Sequence, residues 1–358
     1  MSIISKPIMG AIQVGEKFSH NDWIRVMRLA TNLPDVLLPI ITSYVGHAIP
    51  QVHTCEIEPY VVSFSPDDKQ VAIGGRGQSL VTMYDMTTFT KQFELKGHTG
   101  DLTGLSFSHD GKCLVTASDD NTAGIWCAST GQLLHRLTVQ SDIVLSACFN
   151  HDDSLVATGS FAGKVNVYDA KTGKCVRAYK GQLDHHVTAL CFNGDGTDLA
   201  SADRDGIMTL WDVNTGQVTD YFKAHDRKIN TVACSHTNVN NFVTASNDGT
   251  ACIWDTRGSR RKVKSTRKDQ EPRLPSSIFL VDDKRMKAAA FRPSDDQYVV
   301  TAGYDTTKPV CLWDLAADQH YLLSDYIFGP ARAAAFTADG TQLMIASKDR
   351  KICIFNLW

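Results

Sequence analysis

The 358-residue sequence is short of every feature that marks export or membrane insertion. Its first twenty residues carry Lys6, Glu16 and Lys17 and lack the apolar run that a secretory signal requires. The most apolar stretch, Val36 to Ile41, falls far below the ~20 residues needed to cross a bilayer. Net charge is also scarce. Lys+Arg 36 against Asp+Glu 39 leaves −3, so attraction to nucleic acid or an anionic membrane would need a local patch. The ten cysteines form no CxxC and no CxxC…HxxxH pattern. Most lie in apolar segments, such as Cys148 in LSACF, Cys191 in TALCF and Cys353 in KICIF. They read as reduced thiols of a cytosolic or nuclear protein. Nucleophile-elbow, phosphate-loop and zinc-protease motifs (GxSxG, GxxxxGK, HExxH) are missing. Gly74, Gly75 and Gly77 fall in a turn between short strands, which is no phosphate cradle, and His185–His186 is an isolated pair in a loop. No catalytic residue, cofactor or metal is therefore expected. With 43% hydrophobic and 21% charged residues, the composition excludes a disordered or fibrous chain.

What the sequence does contain is a repeat. An aromatic residue beside Asp closes an alternating apolar segment in MYD (83–85), VYD (167–169), LWD (210–212), IWD (253–255) and LWD (312–314). Two degenerate copies, IWC (125–127) and IFN (354–356), fill the gaps. The closing positions 85, 127, 169, 212, 255, 314 and 356 are separated by 42, 42, 43, 43, 59 and 42 residues. Seven units thus share one period, with a single insertion of about 16 residues between the fifth and sixth. Most units hold a phenylalanine-led turn, as in FSPDD (64–68) and FNGDG (192–196), followed by a small-residue strand such as VTASDD (115–120). Short alternating strands between polar turns predict small antiparallel sheets and an all-β fold.

These residues resemble the WD-repeat family, over about residues 57–358. The resemblance implies a seven-bladed β-propeller of four-stranded blades. It also implies a buried hydrogen-bonded network within a blade. In the second unit that set is His98, Ser118, Asp120 and Trp126; in the fifth it is His225, Ser246, Asp248 and Trp254. A buried imidazole, carboxylate and indole N–H each need a partner and can supply one another. These residues are expected to be structural rather than catalytic. The last unit stops after its third strand, so the segment Gln51–Ile57, which alternates suitably, is expected to close the ring as a fourth strand.

Residues 1–50 read differently, as a helical hairpin or arm before a propeller spanning 51–358. Trp23, Val26, Met27 and Ala30 keep helical spacing, and LPDVLLPIITSYV places Leu33, Leu37, Ile40, Ile41 and Tyr44 along one face. That second segment, with Leu33–Pro34 at its head, resembles the opening helix of an F-box. Trp254, Asp255 and Arg257 match the WDxR box of propeller receptors for cullin–RING ubiquitin ligases. Such likeness implies docking to a cullin ligase adaptor through Leu33, Pro34, Leu37, Ile40, Tyr44 and the WDTR box. The insertion 257–275 carries eight Lys/Arg against Asp269 and Glu271 between Arg257 and Arg273, and reads as a basic surface loop. An acidic partner or a nuclear-import receptor would suit it.

A propeller offers one more surface. The residue before the turn Asp in each unit should emerge on the upper face, giving Arg76, Asp119, Phe161, Arg204, Asn247, Tyr304 and Lys348. Two aromatics among arginines are a composition suited to partner binding. The sequence thus predicts a non-catalytic scaffold for protein–protein interaction, cytoplasmic or nuclear, without membrane contact. A cullin-ligase substrate receptor is the alternative, and a propeller enzyme with its site at the channel mouth a more distant one.

Overall fold

The recurring alternation of apolar strand and polar turn is realised as 28 strands in seven four-stranded antiparallel sheets. The computed structural model describes residues 50–357 apart from 76, 139–141, 180–184, 258–273, 281–284, 305–308, 324–326 and 328. The predicted N-terminal hairpin, with Leu33, Pro34, Leu37, Ile40 and Tyr44, lies outside the described residues, as do Arg76 and most of the basic insertion.

Six sheets are consecutive in sequence: blades 1 (59–96), 2 (102–138), 3 (144–179), 4 (187–223), 5 (229–280) and 6 (286–322). Blade 7 joins Ala331–Phe336, Gln342–Ser347 and Lys351–Asn356 to the early strand Gln51–Thr54. That strand pairs antiparallel with the last one, Gln51 opposite Ile354 and Thr54 opposite Lys351. Neighbouring inner strands lie side by side all round the ring, that of blade 7 against Pro59–Phe64 of blade 1.

The cores lie between blades rather than within them. Val115, Ile125 and Leu137 of blade 2 pack on Val144, Phe149 and Tyr168 of blade 3. Ile73 and Tyr84 of blade 1 pack likewise on Met344 and Ile352 of blade 7, so the closing seam has a core like the others. This explains the small second strands: a Cβ added at Gly159 would come 2.5 Å from Val187 of the next blade.

The turn grammar has an equally local cause. The residue after the turn phenylalanine caps the hairpin: Ser108 Oγ accepts from Cys113 N–H (2.9 Å), Asn150 Oδ1 from Leu155 N–H (2.8 Å) and Asn193 Oδ1 from Asp198 N–H (2.9 Å).

Candidate functional site: the channel mouth

Blades 2 and 5 each contain the buried network. His98 Nδ1 lies 2.8 Å from Asp120 Oδ2, His98 Nε2 lies 2.6 Å from Thr116 Oγ1, and Trp126 Nε1–H donates to the same hydroxyl at 2.8 Å. His225, Asp248, Thr244 and Trp254 repeat this at 3.0, 2.6 and 2.8 Å. The hydroxyl joining imidazole to indole belongs to Thr116 and Thr244, which add to the expected set. In an antiparallel pair the residue facing the Trp edge is two positions earlier in the second strand. Ser118 and Ser246 instead accept the Asp120 and Asp248 N–H groups and donate to the Gly100 and Arg227 carbonyls. Burial pushes the Asp120 carboxyl upward, yet hydrogen bonds from Thr122, Thr99 N–H and His98 outweigh it and hold it at about 2. Burial also lowers the His98 pKa, against the pull of Asp120. All acceptors here are satisfied inside the blade, which makes the set a frame and leaves no nucleophile aimed at solvent.

The predicted upper-face residues occupy one equivalent position. The backbone N–H of Asp119, Phe161, Arg204, Asn247, Tyr304 and Lys348 each donates to the carbonyl of the residue just before the inner strand of its own blade, at 2.9–3.1 Å. Those acceptors are Asp101, Ile143, His186, Lys228, Arg285 and Pro330. A second ring stands inside it. The inner strands of all seven blades carry a register shift around their second residue. There Thr103, Thr188 and Asn230 donate to carbonyls of the next inner strand.

The two rings are not uniform around the mouth. Blade 2 supplies Asp101 and Asp119. Blade 3 supplies Ile143, Leu145 and Phe161, whose ring is 44% exposed and packs against His186. Blades 4 to 7 supply Arg204, Lys228, Arg285, Lys287 and Arg332. Between blades 3 and 6 a cavity of about 770 Å³ opens, with Phe161, Arg204 and Asn247 in its wall beside Arg227, Lys228 and Arg285.

Three of the seven sequence-predicted residues therefore meet in one pocket. Asp119 and Lys348 belong to other blades, and Tyr304 is not the free aromatic expected. Its hydroxyl accepts from Arg332, its ring lies under Lys287 and Arg332 at 5.2 and 5.0 Å, and it is only partly exposed. Missed at the sequence level were Lys228, Arg285, Lys287 and Arg332. Reading four and six residues before the turn phenylalanine through every unit would have found Lys287, Arg332 and Arg285. Lys228 escapes even that, since Cys234 stands where blade 5 would have the phenylalanine.

Within the WDTR box, Trp254 departs from the expected docking role, while the Arg257 side chain is 70% exposed. Trp254 is 1% exposed and hydrogen-bonded to Thr244, so it presents nothing to a docking partner. Arg257 folds back on Asp255, its Nε and Nη2 donating to Asp255 Oδ2 at 2.8 and 2.5 Å. The guanidinium is thus paired within its own turn. His185 of the adjacent histidine pair contacts Asp205 at 3.0 Å. Among the described residues no group of three or more His, Cys, Asp or Glu is arranged to hold a metal. All ten cysteines are free thiols.

Comparison with known proteins agrees with the topology. The model of the WD domain, G-beta repeat, matches residues 89–127, 131–169, 173–212 and 216–255. Each match runs from one blade's outer strand through three strands of the next, the offset that strand exchange at the seam produces. Together with the seven four-stranded blades, these four repeats support a WD-repeat β-propeller. It is 33% identical over 82 residues to the COMPASS component SWD3 of Saccharomyces cerevisiae, covering 23% of this chain and 26% of that protein. Likeness to eukaryotic translation initiation factor 3 subunit I of Scheffersomyces stipitis is 31% over 86 residues, 24% of this chain and 25% of the relative. For the U5 small nuclear ribonucleoprotein 40 kDa protein of Dictyostelium discoideum it is 28% over 132 residues, 37% of each chain. The chain therefore spans between a quarter and about two fifths of the length of these relatives.

Proposed function

We propose that this protein is a non-catalytic interaction scaffold that receives a segment of a partner protein in the channel mouth between blades 3 and 6. The observation that carries this reading is the cavity of about 770 Å³ in which an exposed phenylalanine and several cations converge. That volume suits a few side chains of a bound segment, and an aromatic beside arginines is a common anchor composition. The rigid frame supports it: buried networks and inter-blade cores hold the mouth residues on strand ends rather than on long loops. The relatives' names point the same way, since they describe a component, a subunit and a ribonucleoprotein protein, members of larger assemblies. Those assemblies belong to nucleus and cytoplasm alike, and either compartment suits ten free thiols.

Affinity capture from cells tests the reading. Wild type and a Phe161→Ala, Arg204→Ala variant are compared by mass spectrometry, with melting curves as a check on folding. The expected result is selective loss of one or more partners from the variant at unchanged melting temperature. Identical partner sets would place the working surface elsewhere.

A further inference from the structure

The mouth holds more positive charge than it neutralises. Around the cavity stand Arg204, Lys223, Arg227, Lys228 and Arg285 against Asp205 and Asp226. Asp205 is already engaged by His185, at 3.0 Å. Lys223 Nζ is held by the Asp205 carbonyl. Among the described residues, Arg204, Arg227, Lys228 and Arg285 have no ion-pair partner. Lys287, two residues after Arg285 on the inner strand of blade 6, finds only the Asn230 amide oxygen at 3.3 Å and the Tyr304 ring. Arg332 beside it does have a carboxylate partner: its Nη2 donates to Glu58 Oε1 at 2.8 Å and its side chain is 6% exposed.

From this arrangement we infer that the pocket takes an acidic, carboxylate-rich peptide segment, with an apolar side chain of that segment against Phe161 and its carboxylates toward blades 4 to 6. The inference rests on the scaffold reading above and names the chemistry of the partner. Like charges gathered in a half-buried concavity repel one another, and a carboxylate brought among them removes the repulsion while accepting forked hydrogen bonds from arginine. The strain is visible in the free protein: burial, then Lys228, Arg285 and Arg332, bring the Lys287 pKa down to about 8. Burial and Arg204 lower that of Lys228 in the same way. On blade 2, Asp101 and Asp119 oppose the cations across the mouth and repel an acidic chain from that side, which fixes its register.

Nucleic acid fits less well. The cations form one pocket rather than a stripe along a strand path, and Phe161 is the lone exposed aromatic among the residues lining it, where stacking of successive bases needs several.

Fluorescence polarisation with a labelled peptide of one leucine followed by four glutamates provides the test, beside its glutamine analogue and a single-stranded RNA of matched length. The glutamate peptide is expected to bind, to weaken as salt rises, and to exceed the glutamine analogue by about tenfold or more. Arg204→Glu with Lys228→Glu should abolish binding, and the milder Arg204→Gln with Arg285→Gln, both exposed positions, should weaken it without touching the fold. Lys112→Glu with Lys171→Glu, the same charge change at the opposite rim, should leave affinity unchanged. Equal binding of the two peptides, equal loss in the opposite-rim variant, or tighter binding of RNA would overturn the inference. Capture from cells separates it from the broader reading. Partners lost with Phe161→Ala but kept after charge reversal would leave the scaffold and refute the acidic segment. Partners indifferent to both would refute the mouth itself.

Discussion

At the rim where inner and second strands meet, carboxylates are absorbed by the chain itself. Asp153 of blade 3 accepts the His109 and Asp110 N–H groups of blade 2 at 2.7 and 2.8 Å. Asp68 of blade 1 holds Ala338 and Asp339 N–H of blade 7 at 2.7 and 3.2 Å, and Asp296 of blade 6 holds His236 and Thr237 N–H of blade 5 at 3.1 and 2.7 Å. At the opposite mouth, Arg204, Lys228 and Arg285 stand without such partners among the described residues. The difference separates stability from function. Charges that close bonds within the chain hold blades together, whereas charges kept in a concavity without closing any are available to something else. Asp68, Asp153 and Asp296 even sit at positive φ (56°, 59° and 53°), where the turns of blades 2, 4 and 7 have Gly111, Gly196 and Gly340. A carboxylate that clasps the next blade offsets the left-handed strain that glycine avoids.

The largest expected effect comes from opening the ring. Deleting residues 1–57 removes the strand paired with Lys351–Asn356 and bares that edge. Stability should fall by more than about 3 kcal/mol, beyond the range of ordinary single substitutions, with self-association detectable by light scattering. An unchanged melting temperature would mean the seam holds through its core alone.

Next come the clasps. Asp153→Ala should cost about 1–3 kcal/mol, because two N–H groups of blade 2 lose their acceptor while a non-glycine stays at positive φ. Asp153→Gly should cost less, since glycine relieves the backbone. Phe161→Ser, on the other rim, should stay within about 0.5 kcal/mol of wild type in urea unfolding. Equal costs at Asp153 and Phe161 would erase the distinction between the rims.

Acid should distinguish the frame from the mouth too. Asp120 is held at about 2, and Asp248, through His225 and Thr250, still lower. A carboxyl depressed in the folded state contributes stability that is present above its unfolded value, about 3.9, and lost as pH falls through the folded one. Melting temperature should therefore drop between about pH 4 and pH 2, and Asp120→Asn should flatten that slope.

The smallest effect is chemical. Cys127 stands where the third strands of blades 1 and 3 to 6 end in Asp, and hydrogen bonds from Ser129 and Thr130 bring its thiol down to about 7. Cys148, by contrast, is pushed up to about 12 by burial. Iodoacetamide at pH 7 should label Cys127 well before Cys148 in peptide mapping, with little loss of stability.

The blade count, the strand order and the closing strand were legible because the repeat is written in short-range chemistry. A phenylalanine, a capping Ser or Asn and an aromatic–Asp pair each act within a few residues, so spacing alone reports them. The equivalent upper-face position was legible for the same reason, since it lies at a constant offset from the turn. Thr116 and Thr244 were not singled out, because their bonds to imidazole and indole run across strands rather than within one turn. The pocket was legible only through Phe161, Arg204 and Asn247. Arg204, Lys228 and Arg285 are scattered over 82 positions of sequence, and nothing local tells that they converge. Sequence determined that seven similar sheets form and close. Only the ring geometry, which sets strand ends from different blades side by side, decided that their cations would share one cavity and that Asp68, Asp153 and Asp296 would each find a neighbour to bind.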